Sequence, residues 1–168
     1  MTKQFLTALV LLLLTATATQ AQSLTKTNWF TDLSDDGQDI GMIIDFDEMG
    51  GCYSSMIFNF KQTEDGITVS LHGRCIVPGS YVRNGNEILV RYNRDATTIN
   101  IDTDISGGNE SMRQMFDSML KSDVEKLMRS EAAGFPESST LTILTLTDTE
   151  LRLHDGDEIR TFVAVAKE

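Results

Sequence analysis

The stretch from Cys52 to Val77 limits what this chain can become. Apolar residues alternate going in, at Met56, Phe58 and Phe60, and again coming out, at Ile67, Val69 and Leu71. Gln62-Thr63-Glu64-Asp65 separates the two runs. Period-two alternation on both sides of a polar turn predicts two half-buried antiparallel strands. Pairing Lys61 with Gly66 sets Phe60 against Ile67, Phe58 against Val69 and Met56 against Leu71. The same register puts Cys52 opposite Cys75 on the apolar face, and the chain has only 2 cysteines. A disulfide between them would close a loop of about 24 residues and contribute about 3 kcal/mol. Two free, buried thiols are the alternative.

Strand patterns extend on both sides of this hairpin. Trp29 opens the segment Thr27-Asn28-Trp29-Phe30. From Ile40 to Asp47, Ile40, Met42, Ile44 and Phe46 share one face, and Gly50-Gly51 turns the chain into the hairpin. Pro78-Gly79 reads as a bulge or corner in the outgoing strand. Asn84-Gly85 reads as a type I′ turn. Ile88, Val90 and Tyr92 then share a face, and a turn at Arg94-Asp95 would set Tyr92 against Thr97, Val90 against Ile99 and Ile88 against Ile101. Thr140 to Leu146 and Glu150 to His154 flank Asp148-Thr149, which places Leu146 against Leu151 and Leu144 against Leu153. In the last strand, Glu158 to Ala166, a three-residue loop turns Thr161, Val163 and Val165 inward, and a two-residue loop turns in Phe162 and Ala164.

One segment has a different period. Met112, Met115, Phe116, Met119, Leu120, Val124, Leu127 and Met128 fall at helical spacing, which predicts a helix over about 109–131. Asn109 is the expected N-cap, and Gly134 with Pro136 ends the helix. Methionine supplies half of these positions, and its flexible side chain fills irregular space. The helix either packs on the sheet or forms a lid whose methionines adapt to a ligand.

Residues 1–21 read as a signal peptide. Lys3 gives the positive start, Phe5 to Leu14 the apolar run, and Thr15 to Ala21 the small-residue approach to cleavage. The apolar run is about ten residues, short of the roughly 20 that span a bilayer. A periplasmic or secreted protein with no membrane insertion after signal cleavage is the expectation, with residues 22–168 as one domain. Such a compartment favours disulfides. The formal net charge of -11 argues against nucleic acid and anionic membranes as partners.

Eight to ten antiparallel strands with one apolar face each bury those faces by closing into a barrel. A two-sheet sandwich is the rival. The pattern resembles the lipocalin-like (calycin) β-barrels of exported bacterial proteins. The likeness rests on Trp29 near the start of the first strand, on Gly79-Ser80-Tyr81-Val82-Arg83-Asn84-Gly85-Asn86-Glu87-Ile88 as a central hairpin, and on the up-and-down order. It rests also on Leu144-Thr145-Leu146-Thr147-Asp148-Thr149-Glu150-Leu151-Arg152-Leu153 followed by a strand bearing Phe162. The resemblance implies an all-β, up-and-down antiparallel barrel with one inserted helix.

Catalytic patterns are weak. His72 and His154 stand alone, and His72 falls on the polar face of its strand. Ser118-Met119-Leu120-Lys121 matches S-x-x-K but lacks the accompanying S-D-N and K-T-G motifs. The acidic clusters lack EF-hand spacing. They read as solvated turns rather than metal sites, with a weak calcium site at Asp35 to Asp39 as the minority reading. No enzyme activity and no cofactor are therefore expected. The expected inward, ligand-binding set is Met42, Ile44, Phe46, Met56, Phe58, Phe60, Val69, Leu71, Val90 and Tyr92. These residues suit a small hydrophobic or amphipathic molecule, with Tyr92 as a polar handle. The other reading is a filled barrel that serves as an interaction module for another exported protein.

Overall fold

The computed structural model describes residues 24–34 and 39–167. The expected signal peptide lies outside the described residues, as does most of the Asp35 to Asp39 cluster. Nine strands and one long helix follow one another in the order β1 (Asn28–Asp32), β2 (Asp39–Phe46), β3 (Gly51–Glu64), β4 (Ile67–Asn84), β5 (Glu87–Tyr92), β6 (Thr98–Ser106), α1 (Glu110–Gly134), β7 (Ser138–Leu146), β8 (Glu150–His154) and β9 (Ile159–Val165). Neighbouring strands run in the sheet as β3-β2-β1-β9-β8-β7-β5-β4, and β4 pairs back onto β3. All pairings are antiparallel. Eight strands thus close a ring. This is the up-and-down barrel with one inserted helix that the resemblance implies, and not the two-sheet sandwich.

β3 and β4 outgrow the ring. β2 accompanies β3 only as far as the pair Asp39 and Asn59, while the β3–β4 hairpin runs on to Glu64 and Ile67. On its other edge β4 has two partners in succession. β5 covers Gly79 to Asn84, and β6 covers Thr68 to Ile76. β5 and β6 therefore lie end to end along β4, with a single 3₁₀ turn at Arg94–Ala96 between them. This corrects the expected β5–β6 hairpin at Arg94-Asp95. β5 does not face β6, because its second edge is taken by β7. Pro78 sits at the break. Its carbonyl accepts from Asn93 N–H at 2.7 Å, and its missing donor falls where neither β5 nor β6 runs alongside. That is how a proline survives inside a strand paired on both edges.

The hairpin register also differs from the sequence expectation. Its turn is Asp65-Gly66, with both residues at positive φ (49° and 77°), the type I′ pattern. Phe60 therefore meets Leu71, Phe58 meets Gly73, and Met56 meets Cys75. The shift is four residues, an even number, so every side chain keeps its predicted face. The disulfide is lost. Cys52 pairs with Gly79, four positions and about 13 Å from Cys75 along the strand, and both cysteines are free and buried. The alternation continues through Gln62 and Glu64 into the turn, and polar residues there hid that continuation. The chain unfolded without reductant is expected to take up alkylating reagent at both Cys52 and Cys75. Two unmodified cysteines under those conditions would restore the bridge. In the folded state Cys52 is expected to react slowly, because burial, followed by the charge of Asp45, pushes its thiol up to about 12.

Smaller corrections follow the same logic. The β4–β5 loop is Gly85-Asn86, with only Gly85 at positive φ, which is the type II′ pattern. A bulge between Ile143 and Thr145 sets Ile143, not Leu144, against Leu153 and leaves Leu144 exposed. The β8–β9 connection spans Asp155 to Glu158. It preserves the parity of the two-residue alternative, so Phe162 is buried.

The core has two parts. Trp29, Phe46, Ile88, Val90, Leu151 and Phe162 pack at one end of the barrel, each with 0–1% of its surface exposed. Trp29 Nε1 donates to the Leu24 carbonyl at 3.0 Å there. At the other end Cys75 and Val77 pack against Met128 and Ala132 of α1.

Candidate functional site

α1 is fixed at both ends. Asn109 is the N-cap, accepting from Met112 N–H at 2.9 Å. This satisfies one of the donors a helix start leaves free. At the C-terminus Arg94 Nη1 donates to the carbonyls of Ala133 and Phe135, at 3.2 and 3.3 Å. A cation there also complements the helix dipole. Along its length α1 packs chiefly on β6. Thr103 Oγ1 donates to the Asp117 carboxylate, which also pairs with Lys121 at 2.9 Å. The hydrogen bond from Thr103, then the one from Lys121, holds the Asp117 carboxyl below its ordinary range. Lys121 of the S-x-x-K segment is thus engaged by Asp117.

The C-terminal half of α1 covers one end of the barrel and leaves a cavity of about 360 Å³ beneath it. Met42, Ile44 and Met56 line one wall, and Leu141, Leu153 and Phe162 the facing wall. Phe135, Pro136 and Gly134 roof it, with Ser139, Asp155, Arg160 and Glu131 as its polar contributors. Tyr92 reaches into it and is held by an edge-to-face contact with Phe135, centroids 5.2 Å apart. Burial raises the Tyr92 phenol above its ordinary value, so the ring presents a neutral hydroxyl. Arg160 is tethered by Glu158 at 3.0 Å, and its Nη1 lies 4.0 Å from Met42 Sδ. The resulting lining is mixed: apolar walls meet two hydroxyl side chains and the charged Glu131, Asp155 and Arg160, which suits a molecule with both an apolar and a polar part.

The ten residues expected to face inward do not form a single site. Met42, Ile44, Met56 and Tyr92 line this cavity. Phe46 and Val90 are packed in the closed end. Phe58 lies across Gly73, so close that a Cβ there would fall 1.6 Å from its ring, and it packs in the α1 cluster. Leu71 is buried. Phe60 and Val69 line a second, larger space of about 740 Å³ between the hairpin tip and the N-terminal half of α1. Sequence reasoning missed Leu141, Leu153 and Arg160. Leu153 is legible as an inward-facing residue of β8, but the bulge between Ile143 and Thr145 reverses the face of the preceding β7 residues and so hides Leu141. Among the described residues no cluster of three or more His, Cys, Asp or Glu side chains is arranged to hold a metal ion.

No family model and no curated protein matches this sequence. Among solved structures, a lipocalin-like protein from Bacteroides uniformis is similar in part. It shares 16% identity with a TM-score of 0.42, over 84% of this chain and 99% of that one.

Proposed function

We propose that this protein is an exported, non-enzymatic binding protein that holds a small hydrophobic or amphipathic molecule inside its barrel. The observation that supports this most directly is the cavity of about 360 Å³ under α1. It falls within the usual range of small-ligand sites, roughly 300–1,000 Å³. Its apolar walls suit a hydrocarbon or ring body. Tyr92 and Ser139 supply hydroxyls, and Arg160 with Asp155 supplies charge for a polar end. The groups that meet there are suited to recognition. None is a nucleophile paired with a base. Delivery to the periplasm or the exterior belongs to the same proposal and rests on the pattern of residues 1–21.

Native mass spectrometry of the purified protein tests the reading. A bound adduct that leaves on denaturation supports it, and its mass begins to name the ligand. Ser139→Trp, which places an indole among the polar contributors, is expected to cut uptake of that ligand about tenfold or more, a loss of about 1.4 kcal/mol. Stability should change little, since Ser139 is only half-buried. A bare polypeptide mass, or uptake unchanged by the indole, overturns the proposal.

A further inference from the structure

The second space, between the hairpin tip and α1, has a different character and stands independently of the barrel cavity. α1 sits over β6, tied there by Thr103 and Asp117. The apolar face of β3 and β4 beside it is only partly covered: Ile67 and Val69 are half-buried, and Phe60 is 46% exposed. Met112, Phe116 and Met119 form the helix wall of this groove, and Met119 is 49% exposed. β3 and β6 are separated by β4, hence by two strand spacings, about 10 Å. That equals the usual distance between packed helices, 8–10 Å. A second helix laid over β3 would therefore contact the sheet below and α1 at its side.

Charge names the kind of helix. Glu64 and Asp65 stand at the tip end of the groove, and no lysine or arginine is among the described residues that line it. The β6–α1 junction is pressed against the same tip, since a Cβ on Gly107 would lie 2.1 Å from the Gly66 carbonyl oxygen. This brings the exposed Glu110, in the first turn of α1, to that end as well. The chain carries a net charge of -11, which disfavours a second copy of itself as the occupant. Methionine walls adapt to different apolar side chains.

We infer that this groove docks a basic amphipathic helix of a partner protein. The apolar face of that helix seats on Phe60, Val69 and the methionines of α1, and its cationic flank meets Glu64 and Asp65.

Fluorescence anisotropy with two designed helical peptides tests this. One combines leucine with lysine over about 14 residues, or four turns, and the other replaces each lysine by glutamate. The leucine–lysine peptide is expected to bind and the leucine–glutamate peptide is not. Phe60→Glu and Met119→Glu, both at exposed positions, are expected to weaken binding about tenfold or more. Each variant adds negative charge, so simple electrostatic attraction would strengthen with it. The circular dichroism spectrum and melting temperature should be nearly unchanged in both variants, which shows that they fold whatever the barrel holds. Absence of binding, or affinity unchanged or raised in the variants, overturns the inference. Loss of a small apolar dye from the variants without any peptide binding also overturns it, in favour of a small-molecule groove.

Discussion

Trp29→Ala is expected to destabilise the protein by about 3–5 kcal/mol, the range for removing a large aromatic from a packed core. Trp29 has 0% of its surface exposed and its indole N–H donates to the Leu24 carbonyl. It lies on β1 in register with Ile44 of β2 on one side and Ala164 of β9 on the other. The substitution therefore removes apolar burial and a buried hydrogen bond from a site held by three strands. Trp29→Phe keeps much of the ring, loses the hydrogen bond and should cost less. Urea unfolding followed by circular dichroism measures both. A cost below about 1 kcal/mol for the alanine variant, the typical effect of an arbitrary substitution, would contradict the packing described for this end of the barrel.

Gly79→Ala is also expected to be clearly destabilising although it adds only one carbon. An ideal Cβ there would stand 2.5 Å from the Arg91 carbonyl oxygen and 3.3 Å from Tyr92 Cα. Both obstacles are backbone, so no side-chain rotation relieves them. β4 and β5 must separate where Gly79 pairs with Tyr92, and Tyr92 belongs to the barrel cavity. Overpacking of this kind costs about 1–3 kcal/mol or more. Ligand uptake should fall along with the melting temperature. Gly85→Ala is the contrast, since nothing lies within 4 Å of a Cβ there and its cost comes only from a positive φ. Equal melting temperatures for the Gly79 and Gly85 variants would show that the close approach of β4 and β5 is unimportant.

What could be read before the fold was known follows from what a strand pattern encodes. Alternation fixes which face a side chain occupies. It does not fix how far one strand slides along another by an even number of residues. Alternation therefore places Met56, Phe58 and Phe60 on the correct face, while the true partners lie four positions further along β4, which removes the disulfide. The decisive signal was Asp65-Gly66, a strong type I′ dipeptide, masked by polar residues on either side. The helix and its Asn109 cap were legible because capping and helical period are local. The end-to-end arrangement of β5 and β6 was not, since it depends on β7 returning to β5 after the helix. The candidate site was half legible for the same reason. Met42, Ile44, Met56 and Tyr92 are legible from alternation, whereas Leu141 is hidden by the bulge in β7 and Leu153 joins the cavity only when the ring closes.

The ring closes through the first and last strands of the sheet, and this gives the barrel a clasp. β1 and β9 share three paired positions, Asn28 with Val165, Trp29 with Ala164 and Phe30 with Val163, fewer than any other neighbouring strands. Every other junction can form while the chain is still an open ribbon. The clasp must wait for both ends to meet across nearly the whole chain. The entropic cost of that meeting grows only slowly with length, about 0.6 kcal/mol per doubling, but it falls on the shortest ladder. The barrel should therefore fasten last and loosen first along this line. Trp29, fully buried in the middle of the clasp, acts as its latch beside these few hydrogen bonds.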